Sequence, residues 1–360
     1  MLLGIIFSLP TNGNTPNNLN HTSLPHPTST SVDPITACSK LSILDGSDSE
    51  WLELFPMGDV GGGITSDVDI HRYSRHMLLP SFQRSGQEAL SQAQVVVVGV
   101  GGLGSSCLLY LAAAGFGRIR VVDFDVVELS NLHRQVIHSE EAAAINLSKV
   151  DSALKQLRSL NSNVVYEGMN EKLCHDNVLQ VLEGADVVVD ATDNFRARYL
   201  LCDACFLQQI PLVSGSAVGF EGQITVYNPK NTTCYRCLYP VPSMAENCRS
   251  CSNAGVFGPV PGVIGCLQAS EAIKMVVYLK GPNSSDDRAS LKVNPLLGRQ
   301  LYYDSLTGNC SNFDLPPSDP ECCLCGEKSS ILTIEDSKGI TIVFISCLLY
   351  QLYFFLLWTS

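Results

Sequence analysis

Two sets of residues in this 360-residue chain could do chemistry. The first set runs through the middle of the chain. It comprises Gly99-Val100-Gly101-Gly102-Leu103-Gly104, then Asp123 and Asp125, then Ser130-Asn131-Leu132-His133-Arg134-Gln135, then Asp193-Asn194. Glycines let a backbone turn sharply and approach a phosphate, a helix start offers unpaired N–H groups, and Asp123 falls where a carboxylate bonds a ribose hydroxyl. A glycine-rich turn alone suits an NAD-dependent dehydrogenase or a Rossmann-like domain without ligand equally well. Arg134 shifts the reading. An enzyme that attacks the α-phosphate of ATP must offset charge building on that phosphate, and a guanidinium spreads its donors across it; hydride transfer makes no such demand.

The second set is cysteine. Four Cys-x-x-Cys pairs occur, at Cys202/Cys205, Cys234/Cys237, Cys248/Cys251 and Cys322/Cys325. Zinc takes four thiolates in a tetrahedron, so two pairs make one site. Cys202 and Cys205 share one face of an apolar helical stretch and read as buried core thiols. Cys234/Cys237 follows a strand end and precedes prolines, and Cys322/Cys325 ends in Gly326, both knuckle-like settings. On spacing alone Cys248/Cys251 is a rival partner for Cys234/Cys237. Cys251 also lies in a small-residue loop where a thiolate is accessible to act as a nucleophile.

The elements that must hold these residues follow from the apolar pattern. Val95–Val98 is a strand, the stretch to Ala114 a helix, and the run closing on Asp123 a second strand. Ala142 to Leu160 reads as a helix, Asp186–Asp190 as another buried strand, and 211–228 as antiparallel strands with interior glycines. Gly262 to Leu279 reads as an apolar helix and Leu291 to Asp304 as one or two strands. Asp193 and Asn194 then sit at a strand end facing the ligand crevice, or simply cap the next helix. Arg72 and Arg75 are either a solvated helix face or phosphate contacts. Residues 1–66, rich in Asn, Thr, Ser, Pro and Gly, read as a disordered extension. The uncharged stretch at 340–360 is long enough for a membrane helix and reads as a tail anchor or an alternative terminus.

Composition narrows the classes further. A net charge of −12 argues against broad electrostatic binding to nucleic acid or anionic lipid. Fifteen cysteines in a chain whose opening Met1–Phe7 lacks a basic segment point to reduced thiols, some on metal, rather than a secreted disulfide scaffold.

Taken together and in order, the glycine turn, Asp123-x-Asp125, Ser130-Asn131-Leu132-x-Arg134-Gln135, Ala191-Thr192-Asp193-Asn194, Gly215-Ser216-Ala217 and Cys234-x-x-Cys237 resemble the MoeB/ThiF adenylyltransferases, relatives of ubiquitin-activating enzymes. The Arg72-Tyr73-Ser74-Arg75-His76 opening and Cys322/Cys325 fit as well. The match covers Asp69 to Cys325 and is nearest the eukaryotic branch that serves molybdopterin synthase and tRNA thiolation.

The resemblance implies an α/β fold, a Rossmann-like adenylation domain at 67–325. Its mixed, mainly parallel sheet would continue into antiparallel strands beside a structural zinc knuckle, with an apolar tail at 326–360. It implies that ATP and Mg2+ adenylylate the C-terminal Gly-Gly carboxylate of a ubiquitin-like sulfur carrier. Gly102 and Asp123 would hold the nucleotide within a contact set that includes Ser130, Asn131, Leu132, His133, Arg134 and Lys149, and Asp193 with Asn194 would position Mg2+ and the triphosphate. Arg75 would reach into the neighbouring site of a homodimer. Zn2+ would sit on Cys234, Cys237, Cys322 and Cys325. Cys251, with Cys248 as its alternative, would relay a thioester or acyl persulfide after a sulfur donor such as a cysteine desulfurase. Eukaryotic members also carry a rhodanese-like domain that does not follow here, so adenylylation is expected of this chain and sulfur transfer is in question. A cytosolic location is expected. Two other readings stand beside it: a related enzyme that adenylates a modified tRNA base, and a catalytically impaired isoform that binds carrier or dimerises.

Overall fold

The structure, a computed structural model, describes residues 67–240, 255–281 and 293–338. The extension, Cys248 and Cys251, and the apolar stretch from residue 339 lie outside the described residues.

Strand β1 (Gln94–Val98) carries four consecutive valines because both of its faces are covered. Val95 and Val97 belong to one apolar cluster, Val96 and Val98 to a second on the opposite face. Around it run β2 (Arg118–Val122), β3 (Val165–Met169), β4 (Val187–Asp190) and β5 (Leu212–Val218), all parallel. A tight turn at Gly219, whose φ is +59°, then reverses the chain into β6 (Glu221–Tyr227). Strands β7 (Arg299–Asp304) and β8 (Asn309–Asp314) continue the antiparallel half. The sheet order is β3-β2-β1-β4-β5-β6-β7-β8. Strand order reverses between β1 and β4, and ligands of such sheets bind at the carboxyl ends there. This is the mixed, Rossmann-like sheet expected from the sequence.

Among the described residues the α-helices are α1 (Asp67–Met77), α2 (Gln83–Ser91), α3 (Gly102–Ala114), α4 (Glu140–Ala144), α5 (Lys149–Leu160), α6 (Val178–Leu182), α7 (Phe195–Leu207), α8 (Tyr235–Leu238) and α9 (Pro259–Lys280). Helix α9 is long and apolar enough to cross a membrane by composition, yet it is a core helix here, packed on α3, β5 and β6. Gly265 permits the close approach to α3, since a Cβ there would overlap the Leu103 carbonyl and the Ser106 hydroxyl.

One sequence expectation changes, one is narrowed, and one strand is added. The single helix from Ala142 to Leu160 is two, because Asn146 adopts φ +49° and residues 125–127 and 147–149 form a short antiparallel ribbon. Ser148 caps α5 through its hydroxyl, which accepts from the Asp151 N–H at 3.0 Å. Of the stretch 291–304, only Arg299–Asp304 is strand among the described residues. Strand β8 was not foreseen, since its exposed sequence NCSNFD has no apolar alternation.

Candidate functional site

The glycine turn is built by steric necessity. Gly99 has φ +98°, and a Cβ there would lie 2.6 Å from the Ala191 carbonyl oxygen. At Gly104 a Cβ would overlap the Gly99 carbonyl, so α3 closes onto β1 only with glycine. Gly101 caps α3 without a side-chain hydrogen bond, leaving first-turn N–H groups for an anion. The Val100 peptide is clamped from both ends. Its N–H donates to Asp123 Oδ2 at 2.7 Å, and its carbonyl lies 3.1 Å from His138 Nε2. A carbonyl only accepts, so Nε2 carries the proton and Nδ1 accepts from the Ser152 hydroxyl at 2.9 Å.

A cavity of about 620 Å3 opens at the carboxyl ends of β1, β2 and β4. That volume suits a nucleotide-sized ligand. Gly102, Asp123, Arg134, Lys149, Asp193 and Asn194 all line it, as the sequence pattern requires. Ser130, Asn131, Leu132 and His133 do not line it. They form the turn that aims Arg134, whose Nη2 donates to Asn131 Oδ1 at 2.8 Å. Asn194 does both jobs weighed for it, lining the cavity while its side chain accepts from the Ala197 N–H and caps α7. Arg75 is exposed on α1 and does not line this cavity. Arg72 is likewise exposed and does not line this cavity; its Nη1 donates to the Leu160 carbonyl at 3.2 Å.

Sequence reasoning missed the support beneath Asp193. The buried Asp190 carboxylate accepts from Thr192 N–H at 3.0 Å, Thr192 Oγ1 at 2.7 Å, Arg198 Nε at 2.9 Å and Ser214 Oγ at 2.8 Å. Arg198 Nη2 also donates to the Gly215 carbonyl at 2.9 Å. This network fixes the turn that presents Asp193 and Asn194. The one available signal was an Asp closing an apolar run. Lys172, whose ammonium lies 5.5 Å from the centre of the Phe124 ring at the cavity wall, had no sequence signal at all.

The thiols sort as two kinds. Cys202 and Cys205 are buried in α7. The sulfurs of Cys234, Cys237, Cys322 and Cys325 all lie within 4.8 Å of one another. Three of these separations are 3.7, 3.6 and 3.2 Å. A zinc tetrathiolate with bonds of about 2.3 Å has tetrahedral edges of about 3.8 Å, so the donor set fits that ion. The knuckle is tied to α7 by a fully buried pair in which Arg236 Nε and Nη2 donate to the two Asp203 oxygens, each at 2.7 Å. The Ser337 hydroxyl joins the same carboxylate, and Ile331 and Ile334 are buried in that cluster, so packing continues beyond Cys325.

A parallel half with a glycine turn feeding a helix, joined to an antiparallel half that carries a tetrathiol knuckle, defines a Rossmann-like domain with a cavity at its sheet reversal. The chain belongs to the ThiF family, which it matches over residues 73–324. It is similar to the adenylyltransferase and sulfurtransferase MOCS3-1 of Zea mays, with 48% identity over 76% of this chain and 55% of the relative. It is also similar to MOCS3 of Arabidopsis thaliana, with 47% identity over 74% of this chain and 54% of the relative. The chain thus spans about half the length of the curated relatives it matches. Among solved structures, E. coli MccB with MccA-N7isoASN superposes with a TM-score of 0.59 at 24% identity, over 71% of this chain and 75% of that one. PaaA superposes with a TM-score of 0.59 at 20% identity, over 79% and 91%. At such identities the likeness speaks for the fold alone.

Proposed function

We propose that this domain uses ATP to adenylylate the C-terminal Gly-Gly carboxylate of a ubiquitin-like sulfur carrier, releasing pyrophosphate. One observation carries the reading: Gly102, Asp123, Arg134, Lys149 and Asp193, drawn from five separate segments, converge on one cavity at the reversal point of the sheet. The 48% identity to a relative named adenylyltransferase and sulfurtransferase supports it.

Attack of a carboxylate on a phosphate brings two anions together, so cations must offset their repulsion. Arg134 and Lys149 supply two on this chain, and Arg75 of a second copy in a homodimer would supply another. The helix α3 N-terminus and Gly102 seat the phosphates, and Asp123 meets the ribose. Asp193, an exposed carboxylate on the cavity wall, suits a hard oxygen-seeking cation, and Mg2+ held there would shield the polyphosphate charge. Zinc on the four thiols would be structural. The carrier would serve molybdenum cofactor biosynthesis, tRNA thiolation or both, in the cytosol and without direct contact to nucleic acid. A cysteine desulfurase would be the sulfur source, and Cys251 would be the relay thiol.

The test is carrier-dependent exchange of pyrophosphate into ATP. Purified protein should catalyse it, and Arg134→Ala or Asp193→Ala should lower the rate at least about a hundredfold while carrier binding persists. Carrier binding by the unaltered protein without exchange would refute the enzymatic reading and leave a binding module.

A further inference from the structure

Lys149 occupies an awkward position for a cation. It is the first residue of α5, where the helix macrodipole is positive, and its side chain is only 8% exposed. An ammonium there needs a counter-ion. Asp125 provides it, with Oδ2 2.8 Å from Lys149 Nζ. Their backbones are joined as well, the Lys149 N–H donating to the Asp125 carbonyl at 2.9 Å, while the Asp125 N–H donates to Asp123 Oδ1 at 2.8 Å. The two partners differ in freedom. Lys149 is buried, whereas the Asp125 side chain is 47% exposed and has water to turn into. Both line the nucleotide cavity.

We infer that Asp125 is a positioning residue that holds Lys149 in the empty site and yields it to the polyphosphate, a counter-ion exchange built into the pocket. This rests on the ATP-binding reading above. A phosphate chain carrying several charges displaces a single carboxylate, and the released carboxylate turns outward. When pyrophosphate departs, Asp125 reclaims the ammonium and opposes rebinding. Asp125 therefore weakens polyphosphate affinity in exchange for keeping Lys149 ordered, and removing its charge tightens binding.

Calorimetric titration with ATP tests this in four proteins: unaltered, Asp125→Asn, Lys149→Met and the double variant. Asp125→Asn should lower the ATP Kd by about fivefold, the scale of a partly exposed ion pair, and have no effect in the Lys149→Met background. Asp125→Glu, which restores the charge, should return the Kd toward the unaltered value. Weaker ATP binding by Asp125→Asn, or an equal effect in both backgrounds, overturns the exchange while leaving the adenylylation reading intact. Failure of the unaltered protein to bind ATP overturns both. Loss of the Mg2+ dependence of binding in Asp125→Asn alone makes Asp125 a cation ligand and overturns the exchange.

Discussion

His138 shows how a side chain with no motif of its own sets the glycine turn. It joins Val100 of the turn to Ser152 of α5, and burial lowers its pKa below the ordinary histidine value, while the nearby Lys149 charge pushes the same way and Asp123 opposes it. The sign of the consequence follows from linkage. The unfolded chain takes up this proton near pH 6.5 and the folded chain only below that, so folding loses stability as pH falls from about 6.5 through the lower folded value. The thermal midpoint should drop more between pH 7.5 and 5.5 in the unaltered protein than in His138→Gln. Equal slopes would place the acid sensitivity elsewhere. At this scale the sequence was legible where a residue's chemistry is fixed by its motif: Gly102, Asp123, Arg134, Lys149 and Asp193 reached the cavity. It was not legible for His138 or Asp190, nor for the pairing of Asp125 with Lys149, because the partners of His138 lie 14 and 38 residues away, Arg198 and Ser214 lie 8 and 24 from Asp190, and Lys149 lies 24 from Asp125, all brought near by tertiary packing.

At the scale of elements, the crossing of α3 and α9 is a close contact that supports the site. Gly265 sits against the backbone of Leu103, and the Ser106 hydroxyl donates to the Gly262 carbonyl at 2.9 Å. Gly265→Ala should destabilise the fold by about 3 kcal/mol, because the clash is with backbone rather than a movable side chain. Chemical denaturation should show this as a lower midpoint with an unchanged slope. An unaltered midpoint would mean that the helices separate at no cost. Elements with strong apolar pattern, such as β1, β4 and α9, could be read from sequence to within a few residues. The break between α4 and α5 could not, since it depends on the ribbon with residues 125–127, and β8 could not, since an edge strand needs no buried face.

At the scale of the molecule, the cysteine knuckle ties α7 to residues 331–338 through Asp203, Arg236 and Ser337. Elemental analysis should find one zinc per chain. Cys237→Ser or Cys325→Ser should release it and lower the thermal midpoint by several degrees, whereas Cys202→Ser should retain it. Retention of zinc by Cys325→Ser would reassign the ligand set.

The cavity is also completed late in synthesis. Gly102, at the phosphate end of the cavity, rests against Pro261, and both residues line the pocket although some 160 positions separate them. A nascent chain that has emerged only through β5 holds the glycine turn, Asp123, Arg134, Lys149 and Asp193, yet lacks the helix against which that turn is seated. Loops that close over such a span form slowly. Every cavity residue proposed to touch ATP thus leaves the ribosome well before the pocket is complete, and any ligand that needs the whole cavity reports that helix α9 has docked.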